Sequence, residues 1–492
     1  MTGMGLQHLL WLILLGPLVG GGLCLLPRSS RTVLAGLSML VLAYAFLCAV
    51  LCLGVFAAGP LATAHGWLRL DALSAFHLGL LAFVFATSTL FAARYFATAE
   101  LSPRKTRVFG ALWLGSLSAM TLVLIANHLG LMWVGVETTT LMTTFLIALH
   151  RSRKSLEATW KYLMICSVGI AIAFLGMLIF GASASRVADG GSDVMLWTTL
   201  REVAARLDPK LTKLGFIFLL VGYGTKVGLA PMHTWLPDAH SQAPAPVSSI
   251  FSAAMLSTVM YCLMRYLPVV ETATGHVGWT SRLLCLFGAL SMIIAAAFIL
   301  FQRDVKRMLA YCSVEHMGIV AIGLGLGSLG IFAALFHTLN HSLAKSVSFC
   351  AAGRLGQMAG THQISRLRGI MRVSPLWGTG LCLSLLALIG VVPSAIFMSE
   401  LLVVKATIDA HATGILVAFL VAAGTVFLGM FAHAMAMVRG TPEDACKPIR
   451  ADASEMVITA VPMALLVLLG LWMPLPLRAA LSQAAAIVRP LP

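Results

Sequence analysis

The sequence predicts an all-α, polytopic membrane protein of about fourteen transmembrane helices, and three observations carry that expectation. Of its 492 residues 59% are hydrophobic and only 10% charged, with a mean hydropathy of +0.94; a soluble domain of this size cannot cover its surface with so little polarity. Apolar runs of about 20 residues, the length that crosses a hydrocarbon core, recur along the whole chain. The Lys and Arg fall in short clusters between those runs, so the net charge of +15 reads as membrane orientation and not as a nucleic-acid-binding face.

Taken in order, the runs cover 6–26, 32–57, 71–93, 108–126, 129–149, 160–182, 211–229, 246–267, 282–301, 308–325, 329–352, 376–404, 413–438 and 456–477. The first has no basic leader and no small-residue cleavage site, so it reads as a retained span. An even number of spans puts both termini on one side. If that side is the periplasm, the inner loops hold 19 of the 33 basic residues, including Arg28, Arg31, Arg104, Lys105, Arg107, Arg151, Arg153, Arg303, Lys306, Arg307, Arg354, Arg368, Arg439 and Lys447. The outer side holds ten, half of them in the long 183–213 loop, where the positive-inside rule is weakest.

Breaks in the seventh span at Gly228, Pro231 and Pro237, and in the twelfth at Gly390 and Pro393, free backbone groups that lipid cannot satisfy. Paired breaks suggest two inverted repeats. The predicted organisation is spans one to three (1–107), a five-span unit (108–267), a second, inverted five-span unit (268–440), and a last span with its tail (441–492). Ten scattered cysteines, no metal-ligand spacing and no nucleotide fingerprint predict no redox centre, no catalytic residue, no cofactor and no metal within the chain. Any electron-carrying part belongs to other polypeptides.

A charge at mid-bilayer costs at least about 2.5 kcal/mol, so each needs a partner, water or a function. Glu137 lies about eight residues into the fifth span, and Lys226 sits just before the seventh span's break; two such groups on separate spans can neutralise one another. His337, His341 and Lys345 repeat at i, i+4 and i+8 along the eleventh span and line one helix face, a spacing suited to a proton wire. Glu400 follows Pro393, with Lys405 a little further on, where it can snorkel to the membrane surface. Glu315 and His316 open the tenth span beside Arg303, Lys306 and Arg307, where Glu315 reads equally as an inlet or as a rim salt bridge. His233, Asp238 and His240 beside the seventh break read as a similar mouth, with helix N-cap as the alternative for Asp238.

Around Lys226 the stretch Gly224-Thr225-Lys226-Val227-Gly228-Leu229-Ala230-Pro231-Met232-His233-Thr234-Trp235-Leu236-Pro237-Asp238-Ala239-His240 resembles the seventh-helix signature of the antiporter-like, proton-translocating membrane subunits. These are shared by respiratory complex I, Mrp-type Na⁺/H⁺ antiporters and membrane-bound NiFe hydrogenases. Asp304 to Gly318, with its Glu315-His316 pair, is most similar to component F of hydrogenase-4 and formate-hydrogenlyase-like complexes. The resemblance implies that Glu137, Lys226, His337, His341, Lys345 and Glu400 translocate protons; beside them Glu315, His316, His233, Asp238 and Ser257 are candidates for entry or relay from their own positions and chemistry. It implies partner membrane subunits, peripheral hydrogenase- or NADH dehydrogenase-like subunits, and an inner-membrane location. Ser257 stands where complex I relatives usually carry a central lysine, and a hydroxyl passes protons but holds no positive charge.

The expected mechanism has a redox reaction in partner subunits shift the Glu137/Lys226 pair, with the proton leaving by Lys345, His341, His337 and Glu400. A stand-alone or Mrp-type Na⁺/H⁺ antiporter is the first alternative, a structural membrane anchor the second.

Overall fold

The computed structural model describes residues 3–99, 101–150, 152–188, 193–275, 278–442 and 449–490. Arg151 and Lys447 of the predicted inner set lie outside them.

The first thirteen predicted runs map onto α1 (Gly3–Leu23), α2 (Ser30–Ala58), α3 (Ala72–Thr98), α4 (Pro103–Ile125), α5 (Leu129–Ile147), α6 (Arg153–Ala184), α8 (Pro209–Val227), α10 (Ala245–Ile250) continuing into α11 (Leu256–Ala273), α12 (Trp279–Ile299), α13 (Val305–Gly325), α14 (Gly327–Ala359), the pair α16 (Pro375–Leu388) and α17 (Ala395–Asp409), and α18 (Thr413–Val438). The fourteenth is α19 (Ala453–Leu471). Short helices α7 (Trp197–Glu202), α9 (Trp235–Gln242) and α15 (Ile370–Val373) lie between them, and α20 (Leu475–Val488) follows. Eleven helical segments among the described residues are long and apolar enough to cross a bilayer. The runs at 329–352 and 376–404 fall outside that set, α16 being short and α14 diluted by its own polar residues, and the 6–26 run contributes the shorter apolar stretch Gln7–Leu23 of α1.

Helix starts follow from capping. Asp71, Asp208, Asp304 and Asp452 each precede a helix and accept hydrogen bonds from backbone N–H groups of its first turn. At α19 a reciprocal bond from Glu455 completes a capping box.

Both broken spans have the same construction. Gly228 (φ 84°) ends α8 and Gly390 (φ 69°) follows α16, each in the left-handed region that glycine tolerates, and each is followed three residues later by a proline with a cis peptide bond, Pro231 and Pro393. Between α10 and α11, residues Phe251–Met255 form a π-helical turn.

Helices α10, α11 and α13 are wholly enclosed, while α2 and α18 turn most of their surface outward. Close approach of α12 to α13 depends on facing glycines: a Cβ on Gly288 would lie 2.6 Å from the Gly318 carbonyl oxygen, and one on Gly318 would lie 2.7 Å from that of Gly288.

Three details depart from the sequence reading. A two-stranded hairpin, β1 (Leu61–Ala62) with β2 (Arg69–Leu70), interrupts the all-helical pattern between α2 and α3. In the described part of the long 183–213 loop, Trp197 of α7 donates its indole N–H to the Arg265 carbonyl at 2.7 Å. The tail after the last span, to which no element was assigned, holds helix α20, which buries Leu481, Ala484, Ala485 and Val488 and packs on α3, α11 and α14.

Candidate functional site

Lys226 is the penultimate residue of α8, so the break that frees the backbone also fixes where its ammonium lies. The side chain is fully buried. Its Nζ donates to Thr140 Oγ1 of α5 at 2.9 Å and to the Tyr162 hydroxyl of α6, and it lies 4.5 Å from the centre of the Tyr162 ring. The same hydroxyl is shared with Thr143 Oγ1 at 2.6 Å.

Glu137, one helical turn before Thr140, does not pair with Lys226. Half-buried, it takes a hydrogen bond from Ser167 Oγ at 3.2 Å, and its Oε2 is enclosed without a partner among the described residues. In place of the expected direct ion pair, the Lys226 ammonium is held by the Thr140 and Tyr162 hydroxyls and Glu137 by that of Ser167.

In the second half, His337, His341 and Lys345 share one buried face of α14 as the spacing predicted. The chain of contacts nevertheless leaves that helix. His337 Nε2 is hydrogen-bonded to His316 Nδ1 of α13 at 2.8 Å, and its Nδ1 to Ser399 Oγ of α17 at 2.9 Å. The His316 ring centre lies 5.1 Å from that of His341, so His316 links the two α14 histidines. Lys345 Nζ donates to the Leu309 carbonyl at 2.7 Å, and Asn340 Nδ2 to the Ala395 carbonyl at 2.8 Å. Glu400 follows Ser399 directly, and its carboxylate rests on the twelfth-span break: a Cβ at Gly390 would come 2.5 Å from Oε2.

His316 and Glu315 were expected at a mouth, yet both are buried within α13. Glu315 makes no rim salt bridge: Arg307 pairs with Asp238 at 2.6 Å, and Lys306 Nζ donates to the Ala243 carbonyl. Glu315 Oε2, His316 Nε2 and both nitrogens of His341 are enclosed polar atoms without a hydrogen-bond partner among the described residues. Ligand atoms of Cys312, Glu315 and His316 lie within 4.8 Å of one another and could hold a metal ion, although His316 has only Nε2 to offer.

Asp238 is no N-cap; Thr234 holds that place, and Asp238 sits in the first turn of α9, bridging Arg307 and, at 3.1 Å, Lys161 of α6. His233 is buried, with Nδ1 unpartnered. His240 is fully buried, stacks on Phe349 of α14 at 4.8 Å, and has neither ring nitrogen bonded among the described residues. In the gap between the halves, Ser257 Oγ turns back to its own helix, donating to the Ala254 carbonyl at 2.8 Å. Ser252 is the residue that reaches α13, through Ser313 at 2.8 Å. Lys405 pairs with Asp409 at 2.9 Å and not with Glu400.

Sequence reasoning missed Tyr162, Ser399, Ser252 and Ser313, which carry no signal among the many hydroxyls of apolar spans. It also missed Arg265, whose place near the end of a span was a sufficient clue. Arg265 forms a bidentate pair with Asp71 at 2.6 and 2.8 Å and bonds Ser74 and Tyr261, tying α11 to α3. Arg354, expected in a loop, is buried in α14 against Glu455 of α19.

The family described as NADH:quinone oxidoreductase/Mrp antiporter, TM, matches residues 126–427, which contain every expected site residue. The chain is 39% identical over 387 residues to a hydrogenase-4 component F homolog of Methylacidiphilum infernorum, covering 77% of this chain and 80% of that protein. In structure it is similar to a chain of the membrane-bound sulfane sulfur reductase, an archaeal respiratory membrane complex, with a TM-score of 0.87 at 22% identity over 98% of both chains. It is also similar to a chain of respiratory complex I from Thermus thermophilus, with a TM-score of 0.76 at 25% identity over 95% of this chain and 97% of that one.

Proposed function

The chain belongs to the NADH:quinone oxidoreductase/Mrp antiporter family of membrane subunits, and from that premise we propose that it is the proton-translocating membrane subunit of a redox-driven, hydrogenase-4-type complex in the bacterial inner membrane. The observation that carries the reading is the hydrogen-bonded series His316, His337, Ser399 across three helices, ending beside Glu400 at a helix break.

We assign the relay a direction from the hydroxyl of Ser399. Ser399 Oγ donates to the Ile396 carbonyl at 2.8 Å, so towards His337 it acts as an acceptor and His337 carries its proton on Nδ1. His337 Nε2 then accepts, and His316 donates from Nδ1. That assignment leaves His316 Nε2 as a bare acceptor in the enclosed, unpartnered space beside His341. A proton arriving there from His341 or Lys345 releases the one on His316 Nδ1 to His337, and His337 passes its own to Ser399 and Glu400. The series is then reset by rotation of the rings and hydroxyl. Imidazole and ammonium groups carry protons but offer few oxygen ligands to Na⁺, which favours H⁺ as the ion moved.

Lys226 is the matching group of the first half. Its ammonium is held by neutral hydroxyls, so its charge depends on more distant groups such as Glu137, and a change in Glu137 imposed by a neighbouring subunit alters it. Ser252 and Ser313 offer a hydroxyl step between the halves. His233, His240 and the Asp238 cluster offer an inlet. The matching construction of the two breaks supports a two-repeat organisation, 108–267 and 268–440, and the positive-inside reading supports periplasmic termini.

Redox-driven acidification of proteoliposomes holding the whole complex, followed by a pH-sensitive dye in Na⁺-free buffer, tests this. The expected result is acidification without Na⁺ that is lost in Ser399→Ala. Acidification that needs Na⁺, or purification of the chain without redox partners, would favour the antiporter reading.

A further inference from the structure

At the end of the second half, away from the buried relay, lies a pocket of about 660 Å³ lined by Gln302, Arg303, Ile364, Ser365, Arg368 and Arg439. We propose that it binds the phosphodiester headgroup of an anionic phospholipid, a function independent of the translocation reading.

The site is built and not a chance meeting of surface arginines. Arg303 follows α12 and is clamped to the loop before α15 by the Ile364 N–H to Arg303 carbonyl bond at 2.9 Å and by the Asp304–Gln363 bridge. Arg368 Nε donates to the Ser365 carbonyl at 2.9 Å, which ties the side chain to that loop. Arg439 leaves the end of α18, which is fastened to α12 by His433 Nε2 and the Ile299 carbonyl at 3.1 Å. Two left-handed glycines bring the last two segments together: a Cβ on Gly369 would come 2.9 Å from the Gly440 carbonyl oxygen.

Among the described residues no acidic side chain pairs with the three guanidinium groups; Glu443 and Asp444, which follow Arg439 in the sequence, lie outside those residues. Asp304, next to Arg303 in the sequence, is occupied with the backbone N–H groups of Lys306 and Arg307 at 2.9 and 3.0 Å. Three guanidinium groups lining one pocket repel one another, and an oxyanion that accepts forked N–H donors relieves that repulsion. The charge calls for a phosphate, and the surroundings call for one with acyl chains. The pocket lies where α12 ends and α18 ends, and beside it Phe301 is 81% exposed and Leu428 67%, with Leu300 and Phe431 also open to the hydrocarbon side. Basic pockets between membrane helices at this depth suit anionic headgroups.

Native mass spectrometry of the purified whole complex, titrated with phosphatidylglycerol or phosphatidylcholine, tests the proposal. Wild type should retain phosphatidylglycerol in preference to phosphatidylcholine. The triple variant Arg303→Gln/Arg368→Gln/Arg439→Gln should bind it about a hundredfold more weakly, from roughly a fivefold factor per arginine near a membrane surface. The control Arg28→Gln/Arg104→Gln/Arg153→Gln should not change it. The single variant Arg303→Gln, about fivefold weaker, keeps the test decisive should the triple variant fail to assemble. Equal binding of the two lipids, an unchanged triple variant, an equal loss in the control, or displacement by glycerol 3-phosphate at the lipid's own concentration would overturn the proposal. So would a cross-link from Arg303→Cys to another subunit, which would make the pocket a protein interface.

Discussion

His316 and His337 are joined ring to ring, Nδ1 to Nε2 at 2.8 Å, across the interface of α13 and α14. Two imidazoles bonded this way within an enclosed space form a proton-transfer unit, because one donates only while the other accepts. His316→Gln should therefore lower redox-driven proton translocation as severely as His337→Gln, by about a hundredfold, the low end of what a positioned proton-transfer side chain contributes. Proton-to-electron ratios in reconstituted complexes check this. A full ratio in His316→Gln alone would return the relay to the α14 stripe.

Because Glu137 and Lys226 make no direct contact and are held by different hydroxyls, their contribution to stability should be nearly additive. A double-mutant cycle with Glu137→Gln and Lys226→Met, read by thermal unfolding in detergent, should give a coupling below about 1 kcal/mol. A contact pair would give more, up to about 3 kcal/mol. Tyr162→Phe should instead couple strongly to Lys226→Met, since it removes a hydrogen bond to a charged group worth about 1.5–3 kcal/mol.

The Asp71–Arg265 pair is a strut between α3 and α11. Asp71→Asn leaves a buried guanidinium without its counter-charge and should destabilise the chain by about 3–5 kcal/mol. Proton translocation per assembled complex should be unchanged. Thermal unfolding and transport assays on the same preparation separate the two effects.

His362, in the loop after α14, is pushed down to about 3 by burial, with Lys306 adding to the effect. The unfolded chain binds a proton there from pH 6.5 downwards while the folded chain does not, so this contribution to stability is complete above 6.5 and is lost as pH falls towards 3. His362→Asn should flatten the fall in unfolding temperature between about pH 6.5 and 4, a range set by histidine. An identical pH slope in the variant would show that His362 titrates normally.

The spans were legible because the bilayer sets their length, and the buried charges because their cost is high wherever they occur. Glu137, Lys226, His337, His341, Lys345 and Glu400 all needed only those two arguments to be singled out. What periodicity cannot give is which helix lies beside which. His316 was therefore read as a mouth residue, and Glu137 was given a partner, Lys226, that Thr140 and Tyr162 hold instead. Ser399 has no sequence signal at all, since its importance comes from facing His337. The amphipathic α20 was hidden by its small residues, Ala484 and Ala485, which bury little area each but fit closely against α3.

The central claim is that protons cross the membrane through a continuous buried file that needs Lys226 and the His316–His337 unit. Its most direct measurement is the proton-to-electron ratio of proteoliposomes holding the whole complex, at a redox turnover sufficient to be counted, for wild type and Lys226→Ala. The account predicts electron transfer in both and translocation reduced in Lys226→Ala by the number of protons that this subunit carries. A Lys226→Ala complex that assembles, turns over and pumps at the wild-type ratio would contradict it.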